Sequence, residues 1–379
     1  MREILFVAGE PSGDLHASSV ARELAVGAGA ATGAPFRIRG VGGDLMRAAG
    51  VELDEHIRDL AVLGFVEVLR HLPKHWRMLR NVRARLRSGH VALVILVDYP
   101  GFNMRVAEEA AAAGVPVLYY IVPQVWAWGR DRLEKLARWV TKAAVILPFE
   151  EPLLREHGID ATFVGHPLLD RAAETPSRTE ARDQLGLPRD ARVLALFPGS
   201  RAQEIERHLD AFVATANVLR RDDLALQVVV SAAPHVEIDE RRCPFPAVRS
   251  SSLAILRAAD AAMCKSGTTT LEAAVAGCPH VVAYRTHPLT YFAARRLVTI
   301  PNIGLVNVVA GRRVAPEFVQ DALRPADVAR ALKPLLDWGS AERKQMLEEL
   351  DRVRRMLGEP GAARRVAGIA RTLANGQRT

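Results

Sequence analysis

Short apolar runs alternate with amphipathic stretches along nearly the whole chain. In the first half the runs fall at 4–8, 36–41, 91–97, 117–122, 143–147 and 162–165. They are rich in Val, Ile and Leu and lack strict polar alternation, the pattern of strands covered on both faces of a parallel sheet. Between them, 15–28, 104–113 and 130–140 repeat their apolar residues at helical spacing. Alternation of this kind predicts right-handed crossovers and a doubly wound sheet. From 169 to 192 the chain is polar, charged and Pro-containing, which reads as a linker and the entry to a second domain. The pattern then restarts, with strands at 193–197 and 226–230 around a helix over 204–220. Apolar runs at 253–259 and 261–264, a helix over 269–276 and a strand at 281–284 follow, and 325–375 read as helices only. The expectation is an α/β protein with two Rossmann-like domains, 1–168 and 190–340, facing across a cleft. Helices over 341–379 would pack back on the first domain or on a partner subunit.

Composition narrows the class. A length of 379 residues suits two domains. No apolar run approaches the ~18 residues of a spanning helix, and the first residues enter a strand pattern rather than a signal peptide. The cysteines Cys243, Cys264 and Cys278 form neither a disulfide framework nor a zinc spacing, so a reducing cytoplasm is expected. The unusual quantity is charge: 51 Lys+Arg against 43 Asp+Glu, a net +8. Residues 68–97 contain no acidic side chain but hold Arg70, Lys74, Arg77, Arg80, Arg83, Arg85 and Arg87, a charge almost equal to the whole excess.

In open α/β sheets ligands bind beyond the carboxyl ends of strands, so the turns after strands are where chemistry is expected. The first strand runs into Gly9-Glu10-Pro11-Ser12-Gly13-Asp14 and a helix. Its glycines allow close approach of a ligand, and the helix start offers N–H groups; the plain alternative is a tight turn capped by Ser12 or Asp14. It is not the dinucleotide fingerprint. The central run 91–97 ends in Asp98-Tyr99-Pro100-Gly101-Phe102-Asn103. Asp98 could take a proton from an attacking hydroxyl or simply cap a helix. The run 117–122 leads to Trp126 and Trp128, which suit a sugar or an acyl chain but also a core under a loop.

In the second half, Pro198-Gly199-Ser200-Arg201 precedes a helix containing Glu204. Such a turn can donate backbone N–H groups to a phosphate, with Arg201 adding charge. Cys264-Lys265-Ser266-Gly267-Thr268-Thr269-Thr270-Leu271-Glu272 is strand, small-residue turn, then helix. Its hydroxyls and N–H groups suit a pyrophosphate, and Glu272 could accept from ribose hydroxyls. Lys265 precedes the glycine, so this is not a P-loop.

The basic segment carries Leu69, Leu72, Trp76, Leu79, Val82 and Leu86 at helical spacing, with Arg70, Lys74, Arg77 and Arg85 largely opposite. Either it is an interfacial membrane helix or an ordinary helix docking its stripe on a sheet. A nucleic-acid partner is not expected: only Trp76 lies among the basic residues, and no recognised binding motif is present.

Together these stretches resemble the lipid-A-disaccharide synthase family. The matching motifs are GEPSGD at 9–14, LAVLGFVEVL at 60–69, VDYPGFN at 97–103, VPQVWAW at 122–128 and LPFE at 147–150. VGHPLLD at 164–170, PGSR at 198–201, SGTTTLEA at 266–273 and NVVAGR at 307–312 complete the series in order. The resemblance implies a GT-B fold and an inverting, metal-independent hexosyltransferase of Gram-negative lipid A biosynthesis. It implies transfer of 2,3-diacylglucosamine from its UDP derivative to the C6 hydroxyl of 2,3-diacylglucosamine 1-phosphate (lipid X), giving the β-1,6-linked disaccharide 1-phosphate and UDP, with no cofactor. On the same footing Asp98 is the base. Ser200, Arg201, Ser266, Gly267, Thr268, Thr269, Glu272, Asn307 and Arg312 bind the donor. Glu10, Ser12, Gly13 and Asp14 contact substrate, and Trp126, Trp128 and the residues of the basic helix meet acyl chains or the anionic inner face of the inner membrane. The family's homodimer through the C-terminal region would involve the helical tail. One position departs from the family, Arg313 where an acidic residue is common, while Glu317 and Gln320 keep the P-E-x-x-Q stretch. The competing reading is another UDP-sugar GT-B enzyme or a UDP-sugar epimerase.

Overall fold

A computed structural model describes residues 2–26, 36–59, 65–126, 131–233, 236–288, 291–292 and 301–376. The chain divides into two compact units, one formed by 1–167 with 359–379, the other by 168–358.

In the first unit the order is β1 (Glu3–Ala8), α1 (Pro11–Val26), β2 (Arg37–Gly42), α2 (Asp44–Ala48), β3 (Glu52–His56) and α3 (Phe65–Leu86). Next come β4 (Val91–Val97), α4 (Pro100–Ala112), β5 (Val117–Tyr120), α5 (Asp131–Trp139), β6 (Lys142–Val145), α6 (Glu150–Glu156) and β7 (Ala161–Phe163). Among the described residues these strands form one parallel sheet, ordered β3-β2-β1-β4-β5-β6-β7. Strand β4 is apolar throughout because both of its faces are covered. Val94 and Leu96 pack with Met78, Val82 and Phe102 of α3 and α4. Leu93, Ile95 and Val97 pack with Ala17 and Val20 of α1 and with Val366, Ala367 and Ala370 near the C-terminus.

The second unit contains α7 (Leu168–Ala173), α8 (Arg178–Gln184), β8 (Val193–Phe197), α9 (Ala202–Asp222), β9 (Gln227–Ser231), β10 (Ala247–Val248) and α10 (Ser252–Ala258). It continues with β11 (Ala261–Lys265), α11 (Thr269–Ala276), β12 (His280–Tyr284), α12 (Leu305–Ala310), β13 (Glu317–Val319), α13 (Pro325–Leu336) and α14 (Ala341–Met356). Its sheet, parallel throughout, is ordered β10-β9-β8-β11-β12-β13 among the described residues. Helix α15 (Ala362–Ala374) belongs to the first unit, so the tail expected as one block over 341–379 is divided between the two. Arg365 Nε donates to the Val164 carbonyl at 2.8 Å, and Arg371 to that of Glu23.

The linker expected over 169–192 is instead folded. Ser177 and Glu180 form a reciprocal capping box that starts α8, and α8 carries a fully buried arginine, Arg182. Asp260, also fully buried, accepts from Arg182 at 2.9 Å, Arg178 at 2.5 Å, the Val193 N–H at 2.8 Å and the Trp338 indole at 2.8 Å. Apolar periodicity cannot register a helix whose inward residue is charged. Strand β3, also unpredicted, reads Glu-Leu-Asp-Glu-His because it is a sheet edge. Its Glu52 pairs with Arg37 at 2.6 Å and its Asp54 with Arg39 across the ladder to β2. The run 253–259 is α10 rather than a strand, apolar because most of it is buried.

Candidate active site

Each sheet has one place where the chain order reverses, and there a crevice opens beyond the strand ends. In the first sheet it lies between β1 and β4, where Ala8 pairs with Val97. The turns leaving it are Gly9–Asp14 and Asp98–Asn103. In the second it lies between β8 and β11, where Phe197 pairs with Cys264. The turns leaving that one are Pro198–Arg201 and Ser266–Thr270.

At the first, Asp98 and Tyr99 both have left-handed backbones, φ 49° and 50°. Two consecutive non-glycine residues of this kind are costly and need outside support. The Asp98 N–H donates to the Tyr120 carbonyl at 3.1 Å. The Asp98 carbonyl accepts from Asn103 Nδ2 at 2.7 Å and from the Tyr119 hydroxyl at 3.0 Å. Those bonds use the backbone and leave the carboxyl to point elsewhere. Burial first, then the nearby charge of Glu10, push the Asp98 carboxyl above the usual aspartate range, a Tyr99 backbone hydrogen bond offsetting part of the rise.

Gly9 is required for a reason unlike the one expected. A Cβ there would stand 2.2 Å from the Tyr99 ring, so what approaches this glycine is a side chain of the same unit. Gly13 is buried beneath Ala8 and Val97. Asp14 is 4% exposed, and its carboxylate accepts from the N–H groups of Gly43 at 2.8 Å, Leu45 at 3.1 Å and Met46 at 3.0 Å. It secures the start of α2, which leaves Glu10 and Ser12 as the exposed polar groups of this turn. Trp126 is half-buried, edge-on to Phe149, and donates its indole N–H to Glu150 at 3.0 Å. Burial raises the Glu150 carboxyl to about 7. Trp128 lies outside the described residues.

At the second reversal, Glu204 ties the two turns together. Its carboxylate accepts from the Ser200 N–H at 3.0 Å and from Lys265 Nζ at 2.8 Å. Burial pushes this carboxyl up, but Lys265, the Ser200 N–H and Arg201 together outweigh it and the net shift is downward. Gly199, at φ 143°, leaves room for the Glu204 side chain, which a Cβ would approach to 2.5 Å. Ser200 and Arg201 are exposed. Ser266 donates its hydroxyl to the Ile303 carbonyl at 2.7 Å. The N–H groups of Gly267, Thr268 and Thr269 make no backbone hydrogen bond among the described residues, and they open α11. Glu272, buried one turn in, lies 3.3 Å from Arg171 of α7.

Asn307 and Arg312, both expected at the donor, are engaged by groups of the second unit. Asn307 is fully buried and donates to the Ala315 carbonyl and Glu317 at 2.8 Å each. It also accepts from the Val314 and Ala315 N–H groups at 2.7 and 2.9 Å, so its amide is saturated inside the fold. Arg312 is exposed and ion-paired with Glu349 of α14. Glu317 accepts from the Ile303 and Gly304 N–H groups, and Gln320 exchanges two hydrogen bonds with the Thr286 backbone. That stretch therefore builds the loop before α12. Glu204, Lys265 and Arg171 link the turns and helices around the second reversal through contacts that spacing alone did not single out. For Glu204 and Lys265 the signal in the sequence is polarity where a helix begins and where a strand ends.

The basic helix α3 divides more sharply than its periodicity suggested. Leu79, expected at a membrane or acyl chain, is in the core at 5% exposure with Met78, Val82 and Leu86. Arg85 is ion-paired to Glu3 at 3.0 Å and Asp54 at 3.6 Å, and Arg83 to Glu109. Trp76 is 58% exposed, with the Arg105 guanidinium 5.4 Å from its ring centre. Arg77 and Arg80 are exposed and have no carboxylate partner among the described residues, and with Pro73, Trp76, Leu79 and Arg83 they line a surface groove. Lys74 is half-buried. The side chains of Leu69, Arg70 and Leu72 lie outside the described residues. No described helix is long and apolar enough to cross a membrane.

A model of the lipid-A-disaccharide synthetase family matches residues 4–365. The lipid-A-disaccharide synthase of Syntrophus aciditrophicus is 41% identical, over 98% of this chain and 97% of its own. That of Myxococcus xanthus is 38% identical, over 96% and 95%. Among solved structures, the calicheamicin glycosyltransferase CalG4 matches over 100% of both chains with a TM-score of 0.64 at 17% identity. The UDP-GlcNAc 2-epimerase of Neisseria meningitidis bound to UDP-GlcNAc matches over 97% of this chain and 98% of its own, with a TM-score of 0.61 at 10% identity. At those identities the likeness shows the fold, GT-B.

Proposed function

The chain belongs to the lipid-A-disaccharide synthetase family, and from that premise we propose how its residues divide the work. The enzyme is a glycosyltransferase that joins 2,3-diacylglucosamine, delivered as its UDP derivative, to the C6 hydroxyl of lipid X. UDP leaves as the β-1,6 bond forms. The donor is α-linked, so a single displacement inverts the configuration and requires one base. Asp98 takes the proton of the attacking hydroxyl. The support for this role is its place at the reversal of the first sheet, on a strained turn held by backbone bonds, with a carboxyl made more basic by burial and by Glu10.

Departing UDP carries away the electrons of the broken bond, and its charge must be stabilised. Gly267, Thr268 and Thr269 supply N–H groups at the start of α11 and Ser200 and Arg201 act from the opposite turn, while Ser266 holds the α11 turn in place through its hydroxyl bond to the Ile303 carbonyl. Glu272 accepts from the ribose hydroxyls. Glu10 and Ser12 contact the acceptor sugar, and Trp126 lies against an acyl chain.

One measurement tests the whole reading. UDP release from purified enzyme should require both acylated sugars; equal release with non-acylated UDP-GlcNAc would overturn the assignment. Neither a UDP-sugar epimerase nor an unrelated GT-B transferase is favoured by a family match across residues 4–365.

Acylated substrates reside at a bilayer, and the enzyme meets the anionic inner face of the inner membrane through α3 as a peripheral protein. The carriers are Trp76, Arg77 and Arg80. Each basic residue near an anionic surface contributes roughly 1 kcal/mol. Arg77→Glu with Arg80→Glu should therefore weaken binding to phosphatidylglycerol vesicles by at least about tenfold, with the thermal midpoint unchanged because both side chains are exposed. Undiminished vesicle binding would exclude this face. A homodimer through the C-terminal region would use the face of α15 that covers α1, since α1 of a second copy offers it the same surface.

A further inference from the structure

Trp76 and His75 are consecutive on α3 but do different things. Trp76 faces solvent. His75 is half-buried, with Nε2 2.7 Å from the Tyr99 hydroxyl, and packs edge-on against Phe102 with ring centres 5.9 Å apart. Tyr99 in turn lies over Gly9, 6.1 Å from the Phe102 ring, and is the second of the two left-handed residues that aim Asp98. Every other hydrogen bond described for this turn comes from the sheet or from α4. The His75 bond comes from α3.

We propose that His75 and Tyr99 are positioning residues for the glycosyl transfer: their hydrogen bond ties α3 to the strained turn and fixes the direction of the Asp98 carboxyl. The inference deepens the reading of Asp98 as base and rests on it. A turn with two left-handed residues has a relaxed alternative in which φ returns to negative values, and such a change would swing the carboxyl away from an incoming hydroxyl. Asn103 and Tyr119 hold the carbonyl of Asp98, and the ring stack with the His75 bond holds the next residue. Any shift of α3, including one made when its exposed Trp76 and arginines engage a surface, is thereby passed to the base.

Tyr99→Phe keeps the ring on Gly9 and removes only the hydroxyl. His75→Phe keeps the ring stack and removes the partner. Each should lower kcat about tenfold, the effect expected of a displaced catalytic group, with KM for the UDP donor within about twofold and the thermal midpoint near that of the parent. The double variant should be no slower than either single one, and His75→Gln, which can still reach the hydroxyl, should recover much of the rate. Single variants at parental kcat, or a double variant showing the product of two independent losses, would overturn the tether. Asp98→Ala, measured alongside, separates the two ideas. If it loses turnover while the pair does not, the tether alone fails; if it keeps turnover, the base assignment fails and the tether with it.

Discussion

An Asp98→Asn variant is expected to turn over about 10³-fold more slowly than the parent while binding both substrates normally. The substitution suits this site. Asparagine is among the few non-glycine residues that accept a left-handed backbone, and the bonds that secure the turn use the N–H and carbonyl of residue 98. The fold should survive, and what disappears is a group able to take a proton. The pH profile gives a second view of the same residue. A base works in its ionised form, so rate falls as pH drops through its pKa. Because burial and Glu10 raise that pKa, the acid limb of kcat/KM should lie above the ordinary aspartate range. Removing the neighbouring charge by Glu10→Gln should move the limb to lower pH. UDP release measured from acid to neutral pH checks both points; turnover in Asp98→Asn within a few-fold of the parent would place the base elsewhere.

The largest loss of stability is expected far from the chemistry, from Asp260→Ala. This carboxylate lies just before β11, at the opposite end of the strand from the donor turn, and satisfies Arg182, Arg178, the Val193 N–H and the Trp338 indole. Arg182 is 1% exposed. Its removal from water is tolerable only while its partners are present: Asp260 and the carbonyls of Ala258, Pro188 and Arg189. Breaking one side of a buried ion pair typically costs about 3–5 kcal/mol, enough to leave the second unit marginal. Urea unfolding followed by circular dichroism should show an early transition for that unit in Asp260→Ala. Replacing both members, Asp260→Leu with Arg182→Met, should recover part of the loss, since no charge is then stranded. A single substitution costing under about 1 kcal/mol would mean that water reaches Arg182.

The apolar skeleton was legible from periodicity. The runs at 91–97 and 193–197 coincide with β4 and β8 because strands covered on both faces leave no room for polar residues. The turns that follow them could be picked out as the places where ligands gather. Hidden were the elements whose inward groups are charged. Helix α8 carries Arg182 inward, and β3 pairs its acids with arginines of β2. Direction was equally hidden. Nothing in NVVAGR tells whether Asn307 faces a nucleotide or four groups of its own unit, and nothing in the spacing of α3 separates Leu79, in the core, from Trp76, in solvent. His75 gave no signal because its partner, Tyr99, belongs to another element of the chain.

The return of α15 to the first unit has a consequence for how the molecule is made. Residues 168–358 form an insertion within the domain that precedes them. On the ribosome the inserted domain is complete before Val366, Ala367 and Ala370 emerge to cover α1 and the back of β4. The unit interrupted by the insertion is thus closed after the inserted one. Until then, the apolar surface of α1 and β4 that α15 covers lacks that cover, so the first unit closes only after the second has been made.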